Sequence, residues 1–179
     1  MPYALTLRLD PEAGSRVVAI QQALAARGLS DASRLEYPPH VTLAVVSDDA
    51  DLARLLAAAQ NLATRWPRLT TTLASMGIFP GTPAILFLAP VVTAGLLERH
   101  AELLASLAGE RIDPHYETGN WVPHVTLAGD VTDVPAAVAV VGTLGWPIPA
   151  MLDAVEVVRF PPPGILARHV LTDAGRSLS

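Results

Sequence analysis

The chain has 179 residues, a formal net charge of −5 and no cysteine. That length suits one domain, able to bury about 70% of the surface its unfolded form exposes without disulfide staples. Lack of cysteine excludes thiol nucleophiles, Cys-ligated zinc and iron–sulfur clusters, and the acidic balance argues against a grip along extended duplex nucleic acid. All twelve basic residues are arginine; an arginine-favouring codon bias explains this more simply than selection for phosphate.

In chain order, Tyr3 to Leu9 alternates loosely and reads as a strand. The opening "MPYALTLRLDPEAG" carries Arg8 and Asp10 and lacks a basic region with a long apolar run, so it is not a signal peptide. Asp10-Pro11 reads as N-cap and first helical residue, and Ser15 to Ala26 as a helix ended by Gly28. "HVTLAVV" from His40 is β-branched and apolar, hence a strand. Asp48 or Asp49 is expected to cap a helix over Leu52 to Arg65, and Leu69 to Met76 is a further strand. Leu69 to Leu97 contains no charge, yet Gly77, Pro80, Gly81, Pro83 and Pro90 divide it into pieces too short to span a bilayer.

The same pattern then returns. Ala84 to Ala89 reads as a strand, and Thr93 caps a helix from Ala94 to Ala108 that stops at Gly109. "HVTLAGD" from His124 is a strand, Thr132 or Asp133 caps a helix around Pro135 to Val141, and Val155 to Phe160 is a strand. A last strand is expected near Leu166 to Leu171. Two units of this length are too few and too long for a solenoid. The pattern predicts an α+β fold of duplicated βαβαβ units. These would form two lobes related by a pseudo-twofold axis, with antiparallel-rich sheets flanked by helices around a central cleft. All of 1–179 would be one domain, with lobes of about 1–78 plus the C-terminal strand or strands, and 84–160. A soluble, cytoplasmic monomer with no membrane partner is expected.

The duplication carries the chemistry. Pro-His-Val-Thr-Leu-Ala occurs twice, placing His40 and His124 at equivalent points 84 residues apart, each three residues after an aromatic, Tyr37 or Trp121. In a strand, residues i and i+2 share a face about 6–7 Å apart. His40 therefore projects with Thr42, and His124 with Thr126, while Val41 and Val125 point into the core. If the strands neighbour one another, two imidazoles and two hydroxyls converge. Such a set suits phosphodiester chemistry without metal. One imidazole takes a proton from the attacking oxygen, the other gives one to the departing oxygen, and the hydroxyls hold the phosphate.

Paired His-x-Thr motifs on equivalent strands of a duplicated chain resemble the two-histidine phosphoesterase superfamily, which includes bacterial 2′-5′ RNA ligase-like proteins and cyclic phosphodiesterases. "MGIFPGTPAILFLAP" resembles that family's stretch between lobes, and "LDAVEVVRF" its late strand. The resemblance implies that His40 and His124 are the acid–base pair and Thr42 and Thr126 the phosphate binders. It implies 2′,3′-cyclic phosphates or 2′-5′ phosphodiesters of a nucleotide or RNA end as substrates, with no cofactor. A cleft-facing aromatic or basic residue near the chain end, present in several relatives, is represented here only by Arg159, Arg168 or His169.

Tyr37 and Trp121 either stack on a base or anchor the loops before the motif strands. Tyr116 could meet a nucleobase from its polar loop, where His115 reads as solvated. His100 shares a helical face with Leu96, Leu103 and Leu104 and reads as a packing histidine. Arg159 and Arg168 could supplement the phosphate charge. No metal-ligand spacing and no glycine-rich phosphate loop is present. The rival reading is a non-catalytic module that binds phosphorylated nucleotides or RNA ends.

Overall fold

The structure, a computed structural model, describes residues 1–31 and 37–173. The first unit comprises β1 (Tyr3–Leu9), α1 (Pro11–Ala25), β2 (His40–Val46), α2 (Leu52–Arg65) and β3 (Leu69–Phe79). The second comprises β4 (Ala84–Pro90), α3 (Ala94–Ser106), β5 (Val125–Val131), α4 (Val134–Gly142) and β6 (Ile148–Arg159), and β7 (Gly164–Val170) follows.

Each helix starts where a short polar side chain accepts from the free N–H groups of its first turn. Asp10 receives the Glu12 and Ala13 amides, Thr93 that of Leu96, and Asp133 that of Ala136. The cap of α2 is Asp51, not Asp48 or Asp49. Only Asp51 immediately precedes the first turn and reaches the Ala53 and Arg54 amides. Asp48 instead meets the N-terminal ammonium at 3.0 Å, and Asp49 accepts from Ser47 and Arg111.

The seven strands form one antiparallel sheet in the order β2-β1-β6-β3-β4-β5, with β7 also on β6. The third strand of each unit pairs with the first strand of the other: β6 lies on β1, and β3 on β4. Strand β6 begins at Ile148, well before the expected Val155, because Ile148–Leu152 pairs with Leu69–Leu73 of β3. Pro147 and Pro149 mask that pairing in the sequence, since proline signals a strand edge or a break.

Strand alternation separates two faces. Leu5, Leu7, Val41, Leu43, Val125 and Leu127 are wholly buried in one core together with Val17, Leu55, Leu62, Leu96 and Leu103 of the helices. The helices cross between units, α1 packing on β5 and α3 on β2. Residues of opposite parity (Thr6 and Arg8 on β1, His40 and Thr42 on β2) face the other side, where the register aligns Thr6 with Thr42 and Arg8 with His40. Edge strands β2 and β5 approach each other, so the two motifs meet.

Candidate active site

A cleft of about 270 Å³ is lined by His40, Thr42, His124 and Thr126 together, with Thr6, Tyr37, Tyr116 and Phe160 around them. Both histidines and both threonines are half-buried, whereas Val41 and Val125 between them are fully buried on the other face. The i, i+2 rule thus operates in both copies.

The two imidazoles are held by one device. His40 Nδ1 donates to the carbonyl of Pro38 at 2.9 Å, and His124 Nδ1 donates to the carbonyl of Val122 at 2.8 Å. A carbonyl can only accept, so Nδ1 carries the proton in each ring. Nε2 is then the atom free to accept or deliver a proton. Burial pushes His40 down from the usual imidazole value to about 4, the Pro38 bond opposes this, and the nearby charges of His124 and Arg8 lower it further. Burial likewise lowers His124, against the bond to Val122. Burial thus favours the neutral form of both rings at neutral pH, and each, once protonated, releases its proton more readily than an ordinary imidazolium.

The carbonyls of the motif threonines are tied to the opposite unit. Trp121 Nε1 donates to the Thr42 carbonyl at 2.9 Å, and Gln21 Nε2 donates to the Thr126 carbonyl at 3.0 Å. Trp121 also stacks flat on His100, with centroids 4.0 Å apart. His100 is buried, and its Nε2 donates to the Tyr116 carbonyl at 2.9 Å. His100 is thus a packing histidine, and Trp121 ties α3 to the backbone of the first motif. The Tyr116 phenol is within hydrogen-bonding range of the Thr42 side chain.

The surroundings of the two rings differ. Tyr37 lies against His40 with ring centroids 4.5 Å apart. His124 packs against a contacting pair of phenylalanines, Phe79 at 4.9 Å and Phe87 at 5.3 Å, whose own ring centroids are 4.5 Å apart. Gly77 makes room for that pair, since a Cβ there would overlap the Phe87 ring.

Of the two arginines expected near the phosphate, Arg168 lies opposite Glu156 on β7, its Nε 3.5 Å from that carboxylate. It lines an adjoining cavity with Arg8 and Pro38. Arg159 is exposed at the end of β6, next to Tyr3 and Gly164 in the register, and does not line the His–Thr cleft. His169 lies beside Val155 on β7, and His115 is exposed and paired with Asp113 at 3.0 Å.

Sequence reasoning alone does not single out Thr6, Arg8, Glu156, Phe79 and Phe87. Thr6 and Arg8 are detectable as polar residues two apart within the otherwise apolar strand "ALTLRL", and Glu156 as the lone acid in "AVEVV". Phe79 and Phe87 offer no comparable signal, because aromatic residues in strands are ordinarily core. Among the described residues, no three His, Asp or Glu side chains are grouped so as to hold a metal ion, and no helix is long and apolar enough to cross a membrane.

No curated protein matches this chain in sequence. Several solved structures share its fold across nearly its whole length. The protein TT0787 of Thermus thermophilus matches with TM-score 0.71 at 22% identity, covering 97% of this chain and 100% of that one. LigT of E. coli, in complex with 3′-AMP, matches with TM-score 0.62 at 17% identity, again over 97% and 100% of the two chains. Usb1 of Kluyveromyces marxianus matches with TM-score 0.51 at 11% identity, over 95% and 98%. The sequence model of the 2′-5′ RNA ligase superfamily matches residues 9–161, spanning both motifs, and the chain belongs to that superfamily.

Proposed function

We propose that this protein is a metal-independent phosphoesterase that opens 2′,3′-cyclic phosphates or cleaves 2′-5′ phosphodiesters at a nucleotide or RNA end. The observation that carries this reading is the doubled imidazole: two rings in one cleft, each with Nδ1 held by a backbone carbonyl and Nε2 free.

The chemistry balances with these groups alone. A phosphate between the rings presents an incoming water to one Nε2 and the leaving ribose oxygen to the other. The first Nε2 accepts the proton of water as its oxygen bonds to phosphorus. The second, entering as imidazolium, gives its proton to the ribose oxygen as the P–O bond breaks. One ring ends protonated and the other neutral, so a proton exchange with solvent resets the pair. Thr42 and Thr126 hydroxyls donate to the non-bridging oxygens, whose negative charge grows as the nucleophile arrives. The anion also favours protonation of one ring, offsetting the depression caused by burial. Ligation would use the same pair with a 5′-hydroxyl in place of water: one Nε2 takes the hydroxyl proton as its oxygen bonds to phosphorus, and the other protonates the ribose oxygen released from the cyclic phosphate.

E. coli LigT has been crystallised with 3′-AMP, with ATP and with NADP+, which supports a nucleotide as ligand for this chain. Beyond His124, a cavity of about 540 Å³ lined by Phe79, Tyr116 and Trp121 offers room for a base. The decisive experiment is turnover of a 2′,3′-cyclic nucleotide followed by phosphorus NMR, with a 2′-5′ dinucleotide in parallel. A single new phosphomonoester resonance is expected, at a rate unchanged by excess EDTA. Binding without turnover of either substrate would leave a recognition module, and loss on chelation with rescue by zinc would indicate a metal hydrolase.

A further inference from the structure

Glu156 is wholly buried beneath the cleft, and the proton transfers above give it no task. Arg8 grips it with Nη2 at 2.8 and 2.9 Å and Nε at 3.3 Å. Arg168 Nε approaches from β7 at 3.5 Å, and the Tyr37 hydroxyl donates to it directly. Burying a carboxylate is costly even when it is paired, and an apolar substitute of similar volume is often as stable. Geometry is what such a cluster supplies.

The geometry leads to His40. The Tyr37 hydroxyl is bonded both to Glu156 and to Thr6 Oγ1, the latter at 2.8 Å. Its ring packs on the His40 imidazole, and the central carbon of the Arg8 guanidinium lies 5.2 Å from the Tyr37 ring centroid. Tyr37 is followed at once by Pro38, whose carbonyl receives His40 Nδ1–H. One side chain therefore controls both the ring's packing and the acceptor that fixes its tautomer. Among the described residues the second motif has no such arrangement, and Trp121 turns to Thr42 and His100 instead.

We propose that Glu156 is a positioning residue, which through the Tyr37 hydroxyl fixes the Tyr37 ring and the Pro38 carbonyl on His40 and keeps Nε2 directed into the cleft. Burial and Glu156 raise the Tyr37 pKa, so the phenol remains a donor throughout the working range. The charged and titratable groups that act on His40 are Arg8 from β1, Glu156 from β6 and His124, the residue just before β5. Glu156 raises His40 and Arg8 lowers it, so removing the carboxylate leaves the guanidinium unopposed.

The test uses Tyr37→Phe, which keeps the ring and drops the hydroxyl, and Glu156→Gln, which keeps the shape and drops the charge. Nitrogen-15 NMR of the histidines reads tautomer and pKa without needing turnover, so this inference can fail separately from the phosphoesterase reading on which its kinetic arm rests. In Tyr37→Phe the Nδ1–H population of His40 should fall, and in Glu156→Gln the His40 pKa should drop further. His124 should be unmoved in both. With a cyclic phosphate, kcat should fall about tenfold while KM stays within about twofold, as for a misaligned base rather than lost binding. Lower melting temperatures with unchanged His40 tautomer, pKa and kcat would overturn the proposal and leave a structural cluster. Should Glu156→Gln fail to fold, Tyr37→Phe decides alone.

Discussion

Around His40 the neighbours are charged and hydrogen-bonded: Tyr37 against the ring, with Arg8 and Glu156 behind it. Around His124 they are aromatic, Phe79 and Phe87, over a glycine that makes room for them. The backbone device is nevertheless the same, an Nδ1–H donated to the carbonyl two residues earlier. Both copies keep the defined tautomer that the proposed proton transfers require, with Nδ1 bound to a backbone carbonyl. The surroundings, which set the ring's basicity and angle, diverged. A symmetric pair would titrate alike, whereas acid–base chemistry needs the two rings in opposite protonation states.

The largest expected effect tests the similarity. His40→Ala and His124→Ala should each lower kcat/KM for a cyclic phosphate by about 10²–10⁴-fold, the usual contribution of a positioned acid or base. If one variant kept full activity, the two halves would not be equivalent in the chemistry. A smaller effect isolates the aromatic side. Gly77→Ala should displace Phe87 and tilt His124, costing up to about 10²-fold in kcat through misplacement of the ring. His40 should keep its NMR signature in that variant; if it moved as well, the two surroundings would not be independent.

The pH dependence of kcat/KM reports both rings in the free protein. His40 lies at about 4 and His124 below its usual 6.5, so the bell should be centred on the acid side of pH 6.5. A maximum above pH 7 would contradict that environment.

The smallest effect concerns stability. Between about 4 and 6.5 the unfolded chain binds protons that folded His40 resists, so stability present above pH 6.5 is lost as pH falls. His40→Ala should flatten this slope, so the difference in melting temperature between the two proteins should change by about 4–8 °C between pH 6.5 and 4.5, the shift that about 2 kcal/mol produces at this size. Parallel curves would show that His40 is not the group responsible.

Much of this site was legible in the chain. A period of two puts each histidine with its threonine, and repetition at equivalent positions makes the pair more than a coincidence. Cap chemistry located α3 at Thr93 and α2 to the residue, though Asp48 and Asp49 concealed Asp51 as its cap because three aspartates stand within four positions. The first half of β6 was hidden by Pro147 and Pro149, whose local signal is a break; its pairing with β3 is a non-local fact.

By itself, the sequence determined what depends on near neighbours: helix starts, strand faces, and the parity that sends His40 and Thr42 one way and Val41 the other. Only the tertiary structure decided what depends on distant segments meeting. The exchange of β3 and β6 between units, the approach of β2 to β5, and the meeting of Glu156 with Tyr37 across 119 positions of chain all lie there. The reason is physical. A residue's own face is set by backbone geometry within a few positions, but the partner across a cleft is set by how whole strands pair, which no local pattern encodes.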